Sequence, residues 1–95
     1  MSFSSRKFEW DSEKSEANNI RERGLDFIDA IPTFDDSDRK IWEDIRLDYG
    51  EKRFNMLSKH NGRIFFVTFT LRNHAVRIIS FRKANQREVI NYDQL

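Results

Sequence analysis

The stretch RIISFRKANQREVINY, residues 77–92, collects the side chains best suited to chemistry. Arg77, Arg82, Lys83 and Arg87 supply cations, Ser80 a hydroxyl, and Glu88 and Tyr92 a carboxylate and a phenol. Guanidinium groups bind phosphate oxygens through charge-assisted hydrogen bonds. At i and i+4 of a helix, Glu88 and Tyr92 share one face, and beside guanidinium groups they suit proton transfer in phosphodiester cleavage. On a regular strand Arg77 and Arg82 point to opposite faces, so they meet at one phosphate only if the strand bulges or ends before Arg82. The plainer alternative is an Arg82–Glu88 ion pair beside a half-buried Tyr92. A second set lies across the sheet. Hairpin register places Arg53 opposite Thr70 and Thr70 opposite Arg77, with Asn55, Lys59 and Thr68 nearby, which reads either as a phosphate track or as an ordinary solvated face.

Other chemistries find no support in the sequence. It has no Cys, which excludes disulfides, thiolate metal sites and Cys nucleophiles. His60 and His74 fall at turns of different hairpins and make neither a His pair nor a metal site. No HExxH, Walker, GxGxxG or GxSxG pattern occurs. Trp10 and Trp42 read as core or interface anchors rather than base-stacking platforms. The net charge of +1 hides a charged fraction of 35%, so only a local basic patch can attract an anionic partner. No apolar run reaches the length of a membrane span, and MSFSSRKF lacks the apolar stretch of a signal peptide. The expectation is a cytoplasmic protein of one domain, residues 8–95, behind a flexible N-terminus, residues 1–7.

The elements that must position these groups follow from pattern. Phe8-Glu9-Trp10 alternates as a short strand. Asp11 or Ser12 caps a helix that runs to about Arg23 and stops at Gly24. Asp26 caps a second, shorter helix in DFIDAIPTF, with Phe27, Ile28 and Ile31 inward and Pro32 at or just past its end. Asp35–Asp38 is an acidic turn, Lys40–Asp44 an edge strand anchored by Ile41 and Trp42, and Asp48–Glu51 another turn. Asn61-Gly62 is a two-residue hairpin signal that pairs His60 with Arg63, Phe54 with Phe69 and Arg53 with Thr70. A two-residue turn at Asn73-His74 pairs Arg72 with Ala75 and Thr70 with Arg77. Asn85 caps a last helix to Tyr92. The expected class is α+β, with two N-terminal helices packed on one face of an antiparallel β-sheet and a short C-terminal helix.

FEWD at residues 8–11, Lys14, the Asn18-Asn19 pair, ERGLDF at 22–27 and FDD at 34–36 come in an order that resembles one family. RLDYGEKRF at 46–54, RIISFRKANQRE at 77–88 and Tyr92 continue it. The chain resembles the BrnT family, ribonuclease toxins of type II toxin–antitoxin modules with a RelE-like fold. The resemblance implies a metal-independent endoribonuclease that needs no cofactor, cleaves RNA and inhibits translation. It further implies a BrnA-type antitoxin, associated as a heterotetramer, that contacts operator DNA. Under this reading Arg77 and Arg82 clamp the phosphate. Arg53, Ser80, Lys83 and Arg87 extend the RNA track, and Lys14, Glu88 or Tyr92 transfers the proton. The alternative is a non-catalytic RNA- or partner-binding module using the basic sheet face. Two departures stand out. Glu22-Arg23 occupies the place where many members carry Lys-His, leaving Arg23 to take over any role of the His. The first helix is also one residue longer, which shifts whether Asn18 or Asn19 takes the family position.

Overall fold

Two Asn-led turns set the frame of the sheet. Asn61 (φ 51°) and Gly62 (φ 77°) both take the left-handed conformation, as do Asn73 (φ 51°) and His74 (φ 66°). This is the pattern of the two-residue hairpin loop whose twist matches that of the flanking strands. The chain, in a computed structural model that describes residue 3 and residues 6–94 (side chains of 17, 18 and 22 excepted), is α+β. Its strands are β1 (Lys7–Trp10), β2 (Lys40–Asp44), β3 (Arg53–His60), β4 (Arg63–Arg72) and β5 (Ala75–Lys83), in the spatial order β1-β5-β4-β3-β2. Both hairpins have the expected register, with His60 opposite Arg63 and Arg72 opposite Ala75.

The expected antiparallel sheet is a mixed one. β1 joins the far edge parallel to β5, with Phe8 beside Val76 and Glu9 beside Arg77. Alternation identifies Phe8-Glu9-Trp10 as a strand but carries no information about which edge it joins.

The two expected N-terminal α-helices also take a different form. The first is a helical run in three pieces: α1 (Ser12–Lys14), a π-helix (Ser15–Ile20) and α2 (Arg21–Arg23). The Asp11 carboxylate caps its start and Gly24, at φ 69°, ends it. A π turn widens the coil to accommodate one extra residue without losing the axis, which fits the extra length of this segment. The second is a 3-10 helix, Phe27–Asp35, capped by Asp26 through the amide of Ile28. Pro32 sits inside it rather than at its end. Proline cannot donate to an i−4 carbonyl and its ring crowds that turn, so the tighter winding is tolerated where an α-helix would break. Side chains bolster it: Thr33 Oγ1 donates to Ala30 O, and Ser58 of β3 donates to Thr33 O.

The core lies between the 3-10 helix and one sheet face. Phe27, Ala30 and Phe34 pack on Met56, Val67, Phe69, Val76, Ile78 and Phe81, all buried. Phe3 joins them, edge-on to Phe34 and Phe69. Phe3 falls within the expected flexible lead, of which residues 1, 2, 4 and 5 lie outside the described residues. On the opposite face α3 (Gln86–Gln94) seats Val89 and Tyr92 over Leu57, Ile64 and Phe66. Asn85 and Glu88 form a reciprocal capping box at its start: the amide of Glu88 donates to Asn85 Oδ1, and the amide of Asn85 donates to Glu88 Oε1, each at 2.9 Å.

Candidate active site

The face left open beside α3 owes its chemistry to one irregularity. Phe69 pairs with Ile78, but Thr68 pairs with Ser80, so Ile79 is an extra residue in β5. This is a β-bulge. Strict alternation would have sent Ser80 and Arg82 into the core with Ile78. The bulge instead turns both onto the side already carrying Arg77, which is the condition under which Arg77 and Arg82 share a surface.

Cross-strand register then builds two adjoining rows. The first runs Glu9, Arg77, Thr70, Arg53, Asp44 and the second Ser80, Thr68, Asn55, Trp42. The hydroxyls are held: Thr70 donates to Lys52 O at 2.6 Å and Thr68 to Asn55 Oδ1 at 2.9 Å. Arg77 Nη1 lies 3.6 Å from Glu9 Oε1, with both side chains partly exposed. Arg53 lies over the Tyr49 ring, 4.2 Å from its centroid, and its Nε makes a long 3.5 Å contact with Glu51, whose other oxygen is taken by Arg72 at 2.7 Å. The Arg72 hydrogen bond is the main reason the Glu51 carboxyl lies below its ordinary range. At the end of this row Asp44 is buried and held by Arg46 through both oxygens, at 2.9 and 2.8 Å, with Tyr49 donating at 3.2 Å. Those Arg46 bonds keep Asp44 well below the usual carboxylate range.

Lys14 feels the charges of this group. Its pKa is lowered, first by burial and then by the positive charges of Arg53 and Arg23, with Arg77 adding to them and Asp11 opposing. Arg23 is tied down, donating to Asn19 Oδ1 at 3.2 Å, while the buried Asn19 donates to Leu25 O at 2.9 Å. The extra residue of the first helix thus leaves Asn19 as a brace for the turn at Gly24; the side chain of Asn18 lies outside those described.

Arg82, Glu88 and Tyr92 are engaged elsewhere. Both guanidinium ends of Arg82 donate to the two oxygens of Glu88, each at 2.8 Å, and Arg82 lies 4.3 Å over the Phe66 ring. The Arg82 hydrogen bonds lower the Glu88 pKa against the effect of burial. The end-on geometry leaves Arg82 Nε–H and one Nη2 hydrogen uncommitted among the described residues. Tyr92 donates instead to Asp36 Oδ2 at 2.6 Å, and burial with the Asp36 charge raises its pKa far above its ordinary value. Glu88 and Tyr92 therefore face different partners, although one helical turn separates them. Lys83 pairs with Phe65 and falls on the side away from Arg82, and Arg87 is exposed on the first turn of α3.

Glu9, Asp36, Asp44 and Glu51 were not anticipated as partners of this face. Glu9 depends on which edge β1 joins, and the other three on contacts distant in sequence or on loop geometry. Among the described residues no three His, Cys, Asp or Glu side chains gather as a metal-holding group. No helix of the described residues is long and apolar enough to cross a membrane.

A five-stranded mixed sheet with a C-terminal helix on one face, and beside that helix a row of arginines with acidic neighbours, defines a small α+β protein. The family model described as the ribonuclease toxin BrnT of type II toxin–antitoxin systems matches residues 10–88, and the chain belongs to this family. No curated protein matches it.

Proposed function

We propose that this chain is a metal-independent endoribonuclease of RelE-like type that cuts RNA in the cytoplasm and so halts translation. A BrnA-type antitoxin neutralises it in a heterotetramer and carries the contact with operator DNA. The observation that carries the catalytic reading is the Ile79 bulge, which puts Arg77, Ser80 and Arg82 on the face that holds Arg53.

RNA brings its own nucleophile, the 2′-hydroxyl. Lys14, made easier to deprotonate by burial and by Arg53, Arg23 and Arg77, accepts the 2′-OH proton in its neutral form. The 2′-oxygen bonds to phosphorus, the P–O5′ bond breaks, and the 5′-oxygen takes a proton from solvent. The products are a 2′,3′-cyclic phosphate and a 5′-hydroxyl. Arg77 and Arg53 hold the non-bridging oxygens and stabilise the charge that grows there. Arg82 contributes its uncommitted Nε edge at the α3 end, with Ser80 between. Glu88 positions Arg82, and Tyr92 positions α3.

The test is cleavage of a long RNA in EDTA by the purified chain, with Arg77→Ala and Arg53→Ala beside it and folding checked by circular dichroism. Defined fragments from the parent chain and a loss of about 10²-fold or more in Arg77→Ala are expected. Full activity in both folded variants would overturn the assignment. The engagement of Arg82 by Glu88 favours a second reading, a binder that occupies RNA without cutting it. Such a protein retards RNA in a gel and leaves it intact, on naked RNA and on translating ribosomes alike.

A further inference from the structure

Of the two anchor roles its sequence context suggests, core and interface, Trp42 does not fill the core one. It stands on the open face opposite Asn55, remains 42% exposed, and meets Phe66 only edge-to-face, with ring centroids 5.8 Å apart. Beside it a cleft of about 370 Å³ runs between β2 and α3, lined by Lys40, Trp42, Leu57, Asn91 and Gln94. Its apolar walls end in two side-chain amides. A third amide adjoins: Asn55 is buried, its carbonyl oxygen is committed to Thr68, and its NH2 has no acceptor among the described residues.

Exposed indole, apolar slot and uncommitted amide are what a nucleobase requires: a ring to stack on and polar groups to meet its edge. Register brings the cleft close to the row that holds Arg53. Asn55 and Arg53 are alternate residues of one strand, and Trp42 pairs with Asn55 on the next. From strand spacing and rise, the backbones at Trp42 and Arg53 are about 8 Å apart. That is within the span of one nucleotide from phosphate to base. Resting on the reading of this face as an RNA site, we infer that the Trp42 cleft is a nucleobase subsite. A base of the nucleotide whose phosphate lies on Arg53 stacks on Trp42, and the Asn55 amide contacts its edge. Trp42 and Asn55 are then the residues that give the nuclease a preference at this position.

The test separates binding from cutting. RNA with 2′-O-methyl groups throughout lacks the nucleophile, so fluorescence anisotropy of a labelled 2′-O-methyl strand reads affinity alone. Trp42→Ala is expected to weaken binding about tenfold, and Trp42→Phe to recover most of the loss. Strands carrying one abasic nucleotide at successive positions supply the second arm. At one position the missing base costs the parent chain the same factor, and costs Trp42→Ala nothing further, because stacking partners are coupled. Unchanged affinity in folded Trp42→Ala, or losses that simply multiply, would overturn the inference. Normal RNA binding by Trp42→Ala with weakened antitoxin binding would also overturn it and assign the cleft to the partner protein. Strands that bind through Trp42 while unmodified RNA stays uncut, both free and on translating ribosomes, support the subsite and refute the nuclease. Cutting that is indifferent to Trp42 refutes the subsite alone.

Discussion

Replacing Tyr92 by Phe removes a single oxygen from the structure and separates its two candidate roles. The Tyr92 hydroxyl donates to Asp36 Oδ2 at 2.6 Å, and the same carboxylate accepts from the amides of Lys59 at 2.8 Å and Asp38 at 2.9 Å. Asp36 thereby ties α3 to the start of the acidic turn and to β3. A hydrogen bond to a charged group contributes roughly 1.5–3 kcal/mol, and the water access of Asp36 puts this one at the low end, about 1.5 kcal/mol. For a domain of this size that corresponds to a fall of about 9 °C in Tm. Burial pushes the Asp36 pKa up, but hydrogen bonds from Tyr92 and the two amides outweigh it, so the folded pKa lies below the ordinary 3.8. A depressed carboxylate stabilises the fold above its unfolded pKa, and that contribution fades as pH falls through the folded value. The gap between parent and Tyr92→Phe is therefore widest at neutral pH and narrows below about pH 4. Thermal melts from pH 3 to pH 7 measure it, with RNA cleavage at a temperature where both chains are folded as the companion assay. A positioning role predicts cleavage within a few-fold of the parent. A variant with unchanged Tm and abolished cleavage would refute the latch and return Tyr92 to the chemistry.

Two further outcomes follow from the same geometry. Glu88→Gln weakens both the Arg82 pair and the capping box, with an expected loss of about 1–2 kcal/mol in urea unfolding. Because the Glu88 pKa lies below its ordinary 4.5, this difference holds at neutral pH and disappears as pH falls through the depressed value. Lys14→Met should reduce cleavage by about 10²-fold or more and abolish the rise of rate with pH, since the base that must lose its proton is gone. A retained pH–rate profile in Lys14→Met would assign the base elsewhere.

How much of this could be read from the sequence depends on how local each cause is. Asn61-Gly62 determines a two-residue loop, and once the loop is known every pair from His60–Arg63 to Arg53–Thr70 follows by counting. Capping is equally local, so Asp11, Gly24, Asp26 and Asn85 were all legible. The Ile79 bulge was legible only as a condition, because alternation alone sends Arg82 inward. The parallel seat of β1 and the 56-residue span from Asp36 to Tyr92 have no local signal at all. Trp42 was legible as a core or interface anchor but not which of the two: an edge-strand aromatic is buried or bare depending on what packs over it, and here it is outside the core.

The seat of β1 has a consequence for when the proposed site assembles. Lys7–Trp10 precede every other strand in the sequence, yet their strand partner among the described residues is Ala75–Ile78, more than sixty positions on. Contacts this distant form late, since loop closure precedes any gain from them. Lys14 reaches the charges of Arg53 and Arg77 only when that last seam shuts. The proposed site is thus complete only after the two hairpins that carry Arg53 and Arg77 have formed and β1 has docked on β5.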